Sequence, residues 1–182
     1  MACDIPFDVI YLDLWSPGVI PDKFSADTKV LTMIDCMTGY GAAGFVLGEI
    51  NAMKVSETAL ADFFMKFGLP RLIIVDADSL FAGVFKSLFA NLLIPVVAVS
   101  PENHKAIRNE NFHRYLNKVE RINTADTASM VRWKQGVLFS LYAWNAEPID
   151  GTDIPRSVIA IGREIPFPID LLPPLPRDGA AE

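Results

Sequence analysis

Three acids stand where a carboxylate needs a reason. Asp13 interrupts the apolar run VIYLDLWSPG, Asp76 closes RLIIVD, and Glu110 follows Asp76 with 33 residues between them, early in a helical pattern. An ionised carboxylate is costly in an apolar strand. Singly, each acid has a structural use: Asp13 can satisfy turn amides before Ser16 and Pro17, and Asp76 can share a strand-end turn with Asp78 and Ser79. Glu110 can pair with Arg114 at i,i+4 on a solvated helix face. Together they suit a different chemistry. Carboxylates brought about a metal apart repel unless a divalent cation lies between them, and hard oxygen donors with retained water suit Mg²⁺ or Mn²⁺. On the same preference for oxygen, His104 and His113 read as a polar turn residue and a helix-surface residue rather than ligands.

The elements that must position these acids follow from apolar periodicity. Phe7 to Trp15, Lys29 to Met37 and Gly41 to Leu47 read as strands, joined too closely for crossover helices and therefore as an antiparallel meander. The period then becomes helical from about 55 to 67, behind Ser56 as cap and stopped by Gly68, Leu69 and Pro70. Arg71 to Val75 and Pro95 to Val99 read as short strands either side of a helix from Leu80 to Leu93. Helices over about 106 to 122 and 125 to 146 complete the pattern. The order is that of an α/β mixed sheet with helices packed on it, and strand C-terminal ends are where such sheets place their sites. If the strands carrying Asp13 and Asp76 are parallel neighbours, both carboxylates emerge at one edge. Residues 1–162 read as the domain and 163–182 as a Pro-rich tail or linker.

The helix bearing Glu110 divides by angle at about 100° per residue. With Glu110 at zero, Phe112, Tyr115, Leu116 and Val119 fall between about 140° and 240°, an apolar stripe for the core. Arg114, Asn117, Lys118 and Arg121 fall between about −20° and 80°, on the side of Glu110.

Bulk properties narrow the classes. The chain has 182 residues, 51% hydrophobic and 21% charged, enough to bury a core as one domain. No apolar run approaches the ~20 residues of a membrane span, and no basic leader precedes an apolar segment. Cys3 and Cys36 read as no disulfide framework, which points to a reducing intracellular compartment, and the two Cys and two His lack zinc-finger spacing. A net charge of −6 excludes a protein that coats nucleic acid with its whole surface, so any DNA contact is local. Trp15, Trp133 and Trp144 sit in apolar patterns and read as core rather than base-stacking platforms.

From residue 7 to about 172, five ordered segments carry a family likeness: YLDLWSPG, KVLTMIDCMTGYGAAGFV, SETALADFFMKFGLPRLIIVDADSLF, SPENHKAIRNENFHRYLN and IAIGREIPFPIDL. The chain resembles the catalytic core of retroviral and LTR-retrotransposon integrases, the DDE group within the ribonuclease H-like fold. The resemblance implies a ribonuclease H-like mixed five-stranded sheet, β-β-β-α-β-α-β-α, flanked by helices. It makes Asp13, Asp76 and Glu110 the catalytic acids, holding two divalent cations, Mg²⁺ or Mn²⁺, for DNA 3′-end processing and strand transfer. Arg114 matches a position that grips DNA ends, with Asn117, Lys118 and Arg121 beside it, and Asp35 matches a structural aspartate.

Further expectations follow from the same likeness. Double-stranded DNA, both element ends and target, is the partner, with self-association and no membrane. A zinc-binding N-terminal domain and a basic C-terminal domain of a parent Pol polyprotein are missing from this chain, and the site of action is intracellular, in the nucleus during integration or in a cytoplasmic particle before it. Three departures stand against the pattern. The Asp76–Glu110 spacing is two residues short, Ile107 and Arg108 occupy the neighbourhood of a usual glycine, and Ala77 and Asp78 follow the second acid. An inactive or domesticated remnant that tethers DNA or oligomerises is therefore the alternative reading.

Overall fold

The computed structural model describes residues 3–16, 28–99, 111–118 and 130–166. β1 (Val9–Trp15), β2 (Lys29–Asp35) and β3 (Gly41–Val46) pair antiparallel as the expected meander. β4 (Leu72–Asp76) and β5 (Val96–Val99) extend the sheet in parallel from the other side of β1. The strand order is β3-β2-β1-β4-β5, a mixed five-stranded sheet with β1 at its centre and helices around it, the ribonuclease H-like arrangement expected.

Side-chain alternation sends the two halves of each strand to two cores. On one face Ile10, Leu12, Leu31, Met33, Ile73 and Val75 pack against the phenylalanines at 63, 64, 81, 85 and 89. On the other, Tyr11, Trp15, Val30 and Ile34 pack against Phe112, Leu116, Trp133, Val137, Leu141 and Trp144. All three tryptophans are buried, as their apolar settings suggested.

The helices follow local sequence with four adjustments. α1 (Ala52–Ala59) passes through a π-helical turn, Leu60–Phe64, into α2 (Met65–Phe67), and Gly68 at φ 97° ends it. Its cap is Asn51, whose side chain accepts from the Lys54 N–H at 3.0 Å, and not Ser56. Ser56 is buried and donates to the Ala52 carbonyl. The helix begins a turn before its periodicity becomes visible at Val55. The expected helix from Leu80 to Leu93 is split: Ser79–Phe81 is a 3-10 turn capped by Asp78, and Gly83 at φ 50° separates it from α3 (Val84–Asn91). Residues 111–118 form α4, with the rest of the expected 106–122 helix outside the described residues. α5 (Met130–Ala146) matches the described part of the last expected helix, and α6 (Arg156–Ile161), which the sequence reading did not anticipate, follows Pro155. Of the Pro-rich tail only residues 163–166 are described.

Two contacts seat the helices that cover the site. Asn145 of α5 accepts from the Gly41 N–H at 2.7 Å and donates to the Gly41 carbonyl at 2.8 Å, satisfying the edge strand β3. Gly41 is also a close approach: a Cβ there would stand 3.0 Å from the Phe112 ring, so the missing side chain lets α4 lie against the sheet.

The expectation that Cys3 and Cys36 form no disulfide is corrected, for the two are bonded, with Cα atoms 5.9 Å apart. The turn after β2 carries Cys36 back beside the chain entering β1, where its N–H donates to the Val9 carbonyl. Asp35 fixes the same corner from full burial. Its carboxylate accepts from the N–H groups of Phe7 and Thr38 and from the Thr38 hydroxyl, the structural role expected of it. Among the described residues no helix is long and apolar enough to cross a membrane.

Candidate active site

Strand register brings the first two acids together. Leu12 pairs with Val75 across β1 and β4, and Asp13 and Asp76 are the next residue on each strand. By alternation Asp13 shares its face with Tyr11 and Trp15, and Asp76 shares its face with Ile74, so both belong to the side covered by α4. Asp13 pairs with Thr32 on its other flank.

A ring of contacts closes around Asp13. Its Oδ1 accepts from the Leu14 N–H at 2.7 Å. Its main-chain carbonyl accepts from Thr32 Oγ1 at 3.0 Å, and the same hydroxyl lies 2.8 Å from His113 Nε2. His113 Nδ1 in turn stands 3.5 Å from Asp13 Oδ2, with the two side chains 18% and 23% exposed. His113 is thus not the helix-surface residue expected from sequence. It lies three residues beyond Glu110, within about 60° on the helical wheel, and that spacing was the available signal.

Burial sets the charges. It raises the Asp13 pKa above the ordinary aspartate value, against the opposing Leu14 N–H, with Asp78 adding to the rise. Burial also raises Asp76, and the Asp13 charge raises it further. His113 is pushed down to about 4 by burial, so the contact with Asp13 is not an ion pair at neutral pH. Asp76 opens with Asp78, Ser79 and Lys86 onto a depression of about 250 Å³. Asp78 is committed to capping the 3-10 turn through the Leu80 N–H.

The α4 residues divide into two stripes. Asn117 faces β1, where its Oδ1 accepts from Trp15 Nε1 at 2.9 Å. Arg114 and Lys118 line a separate cleft of about 450 Å³ together with Thr38, Tyr115, Trp144 and Arg156. Glu110, Arg121 and His104 lie outside the described residues. Among the described residues no three His, Cys, Asp or Glu side chains form a ready metal cage. The donors nevertheless suit a hard divalent cation: the carboxylates of Asp13 and Asp76 are oxygen ligands, one residue beyond a paired step of two adjacent parallel strands.

No family model matches the chain, and no curated protein matches it. Solved structures do. A chain of the simian T-cell lymphotropic virus intasome, in complex with PP2A regulatory subunit B56 gamma, is similar with a TM-score of 0.69 and 16% identity. The match covers 97% of this chain and 60% of that one, so this chain spans about three fifths of that relative's length. The catalytic core domain of BIV integrase gives 0.67 and 14%, covering 86% and 95%. The HTLV-2 integrase catalytic core in complex with magnesium, in its dimeric form, gives 0.62 and 13%, covering 88% and 99%. At these identities the likeness is one of fold: the chain has the fold of retroviral integrase catalytic core domains.

Proposed function

We propose that this chain is the catalytic core of an integrase-type polynucleotidyl transferase that breaks and joins DNA phosphodiester bonds at Asp13, Asp76 and Glu110. The observation that carries the reading is the placement of Asp13 and Asp76 at matching ends of adjacent parallel strands, beneath α4, in a sheet of the integrase-core fold. These acids would hold divalent cations, of which the magnesium in the HTLV-2 core complex is an example. When bound, such cations supply Lewis-acid activation of a water or a DNA 3′-hydroxyl and stabilise the leaving 3′-oxygen.

The chain's own residues prepare that chemistry. The Leu14 N–H holds Asp13 Oδ1, so one carboxylate oxygen is fixed by the strand and the other faces the site. α4 runs beside the acids, and its Arg114 and Lys118 supply cations for backbone phosphates, contacts that position DNA and carry little sequence information. Asn117, held by Trp15, buttresses the helix against β1. Self-association accompanies this reading, as the neighbouring structures are a dimeric core, a trimeric core and an intasome. So does an intracellular site of action, in the nucleus or a cytoplasmic particle. The shortened Asp76–Glu110 spacing favours the second reading, an inactive remnant that tethers DNA or oligomerises.

Cleavage and joining of labelled oligonucleotide duplexes in Mn²⁺ separates them. The proposal expects activity that is lost in Asp13→Asn and Asp76→Asn while circular dichroism is unchanged. Wild-type protein that binds Mn²⁺ and DNA without joining would support the remnant, and activity surviving both substitutions would contradict the site.

A further inference from the structure

We propose that Cys3–Cys36 is a redox clasp, opened by a low-molecular-weight thiol that attacks at Cys3, which frees the segment ahead of Phe7 while the folded core stays closed. The clasp is independent of the catalytic reading; an intracellular setting only supplies its reductant.

The two ends of the bond are held very differently. Cys36 stands on the corner after β2, where its N–H donates to the Val9 carbonyl at 2.9 Å and its side chain packs against the core of Tyr11 and Ile34. Its Sγ lies 3.9 Å from Tyr11 Oη. Beside it the buried Asp35 carboxylate accepts from the Phe7 N–H at 2.8 Å, the Thr38 N–H at 2.8 Å and the Thr38 hydroxyl at 2.6 Å. Corner and entering chain are therefore joined by hydrogen bonds whether or not the sulfur bridge is closed. Phe7 adds an apolar anchor, its ring stacked on Phe67 at 4.7 Å and edge-on to Tyr40 and Phe63.

Ahead of Phe7 the hold is slight. Among the described residues, the polar and covalent ties of residues 3–6 are the disulfide and one long backbone bond, from the Asp8 N–H to the Ile5 carbonyl at 3.3 Å. Asp4 is exposed, and Ile5 is 62% exposed. Cys3 and Cys36 are themselves only half-buried, and disulfides open to solvent are the exchangeable ones.

The exchange balances in two steps. An incoming thiolate bonds to Cys3 Sγ, the sulfur on the loosely held segment, whereas Cys36 Sγ is backed by Tyr11 and the core. The protein S–S bond breaks, and Cys36 leaves with the electron pair and takes a proton from water. A second thiol then attacks the mixed disulfide, restores Cys3 as a thiol and departs as the oxidised small disulfide, so two thiols supply the two electrons and two protons gained. Cys36 stays on its fixed corner, and an oxidised small disulfide closes the clasp again by the reverse steps.

Reduced glutathione, added to the folded wild-type protein and followed by alkylation and peptide mass mapping, is the test. The first product should carry glutathione on Cys3 and the alkylating agent on Cys36. Opening a loop of sequence separation 33 should lower Tm by about 10 °C in one cooperative transition. The Phe7, Cys36 and Thr38 amides should stay protected from hydrogen exchange, and Cys3→Ser should match the reduced wild type. A bond that yields to glutathione only in urea-unfolded protein, a first product on Cys36, or loss of protection at Cys36 and Thr38 on reduction overturns the proposal. Two free thiols in protein equilibrated with oxidised glutathione overturn it as well.

Discussion

Asp13 and Asp76 occupy the same step of two adjacent parallel strands, one residue beyond the Leu12–Val75 pair, and the charge of the first raises the pKa of the second. Both fold with pKa values above the ordinary aspartate value. A folded value above the unfolded one means stability present below pH 3.8 and lost as pH rises through the folded value. In metal-free protein at pH 7 these acids therefore work against the fold. Asp13→Asn should raise the metal-free Tm by differential scanning calorimetry, and Asp76→Asn should do so to a lesser degree. A drop in Tm for Asp13→Asn would contradict the electrostatic account.

His113 acts in the opposite direction. Its folded pKa of about 4 lies below the ordinary 6.5, so its contribution is complete above pH 6.5 and is lost as pH falls toward 4. Between pH 7.5 and 5 metal-free protein should lose about 2 kcal/mol through this group. His113→Asn should flatten urea-unfolding stability over that window. Parallel wild-type and variant curves would show that the ring is not buried in its neutral form.

Much of this arrangement is legible in the sequence, and the misses have physical causes. Period-two alternation places Tyr11, Asp13 and Trp15 on one face, and the short links force the meander, but the shared edge of Asp13 and Asp76 waits on β1 and β4 being parallel neighbours, which the pairing shows. Asn51 as cap is not marked by periodicity, because before Val55 the first turn of α1 offers the core only the small, half-buried Ala52. Metal hardness alone gives no reason to place His113 at the site. Helical spacing puts His113 on the side of Glu110, but its contact with Thr32, a register partner of Asp13, is visible only from strand pairing. Cys3 and Cys36 likewise meet through the turn after β2, which no spacing rule encodes.

Asn145 ties α5 to the sheet through both backbone groups of Gly41, and all four atoms are buried away from competing water. Asn145→Ala leaves a donor and an acceptor unpaired and should cost about 2–4 kcal/mol in chemical denaturation. A loss under about 0.5 kcal/mol would show that the edge strand finds other partners.

Arg114 and Lys118 line one cleft, whereas Asn117 is bound to Trp15. If the first two meet DNA phosphates, Arg114→Ala and Lys118→Ala should each weaken binding uniformly across sequences and lower the salt slope of log K by about 1. Asn117→Ala should leave the slope unchanged. Equal slopes in all three variants, measured by fluorescence anisotropy from low to physiological salt, would place the DNA elsewhere.

The paired acids at the β1 and β4 ends are the proposed holders of a divalent cation. Thermal unfolding at pH 7.5 across a Mg²⁺ or Mn²⁺ titration tests this role, since a ligand bound only by the folded state stabilises by about 2.7 kcal/mol at 100 times its dissociation constant. The account expects a concentration-dependent rise in Tm for the wild type, abolished in Asp13→Asn and in Asp76→Asn. A wild-type Tm indifferent to both ions, or a rise that persists in Asp76→Asn, would contradict it.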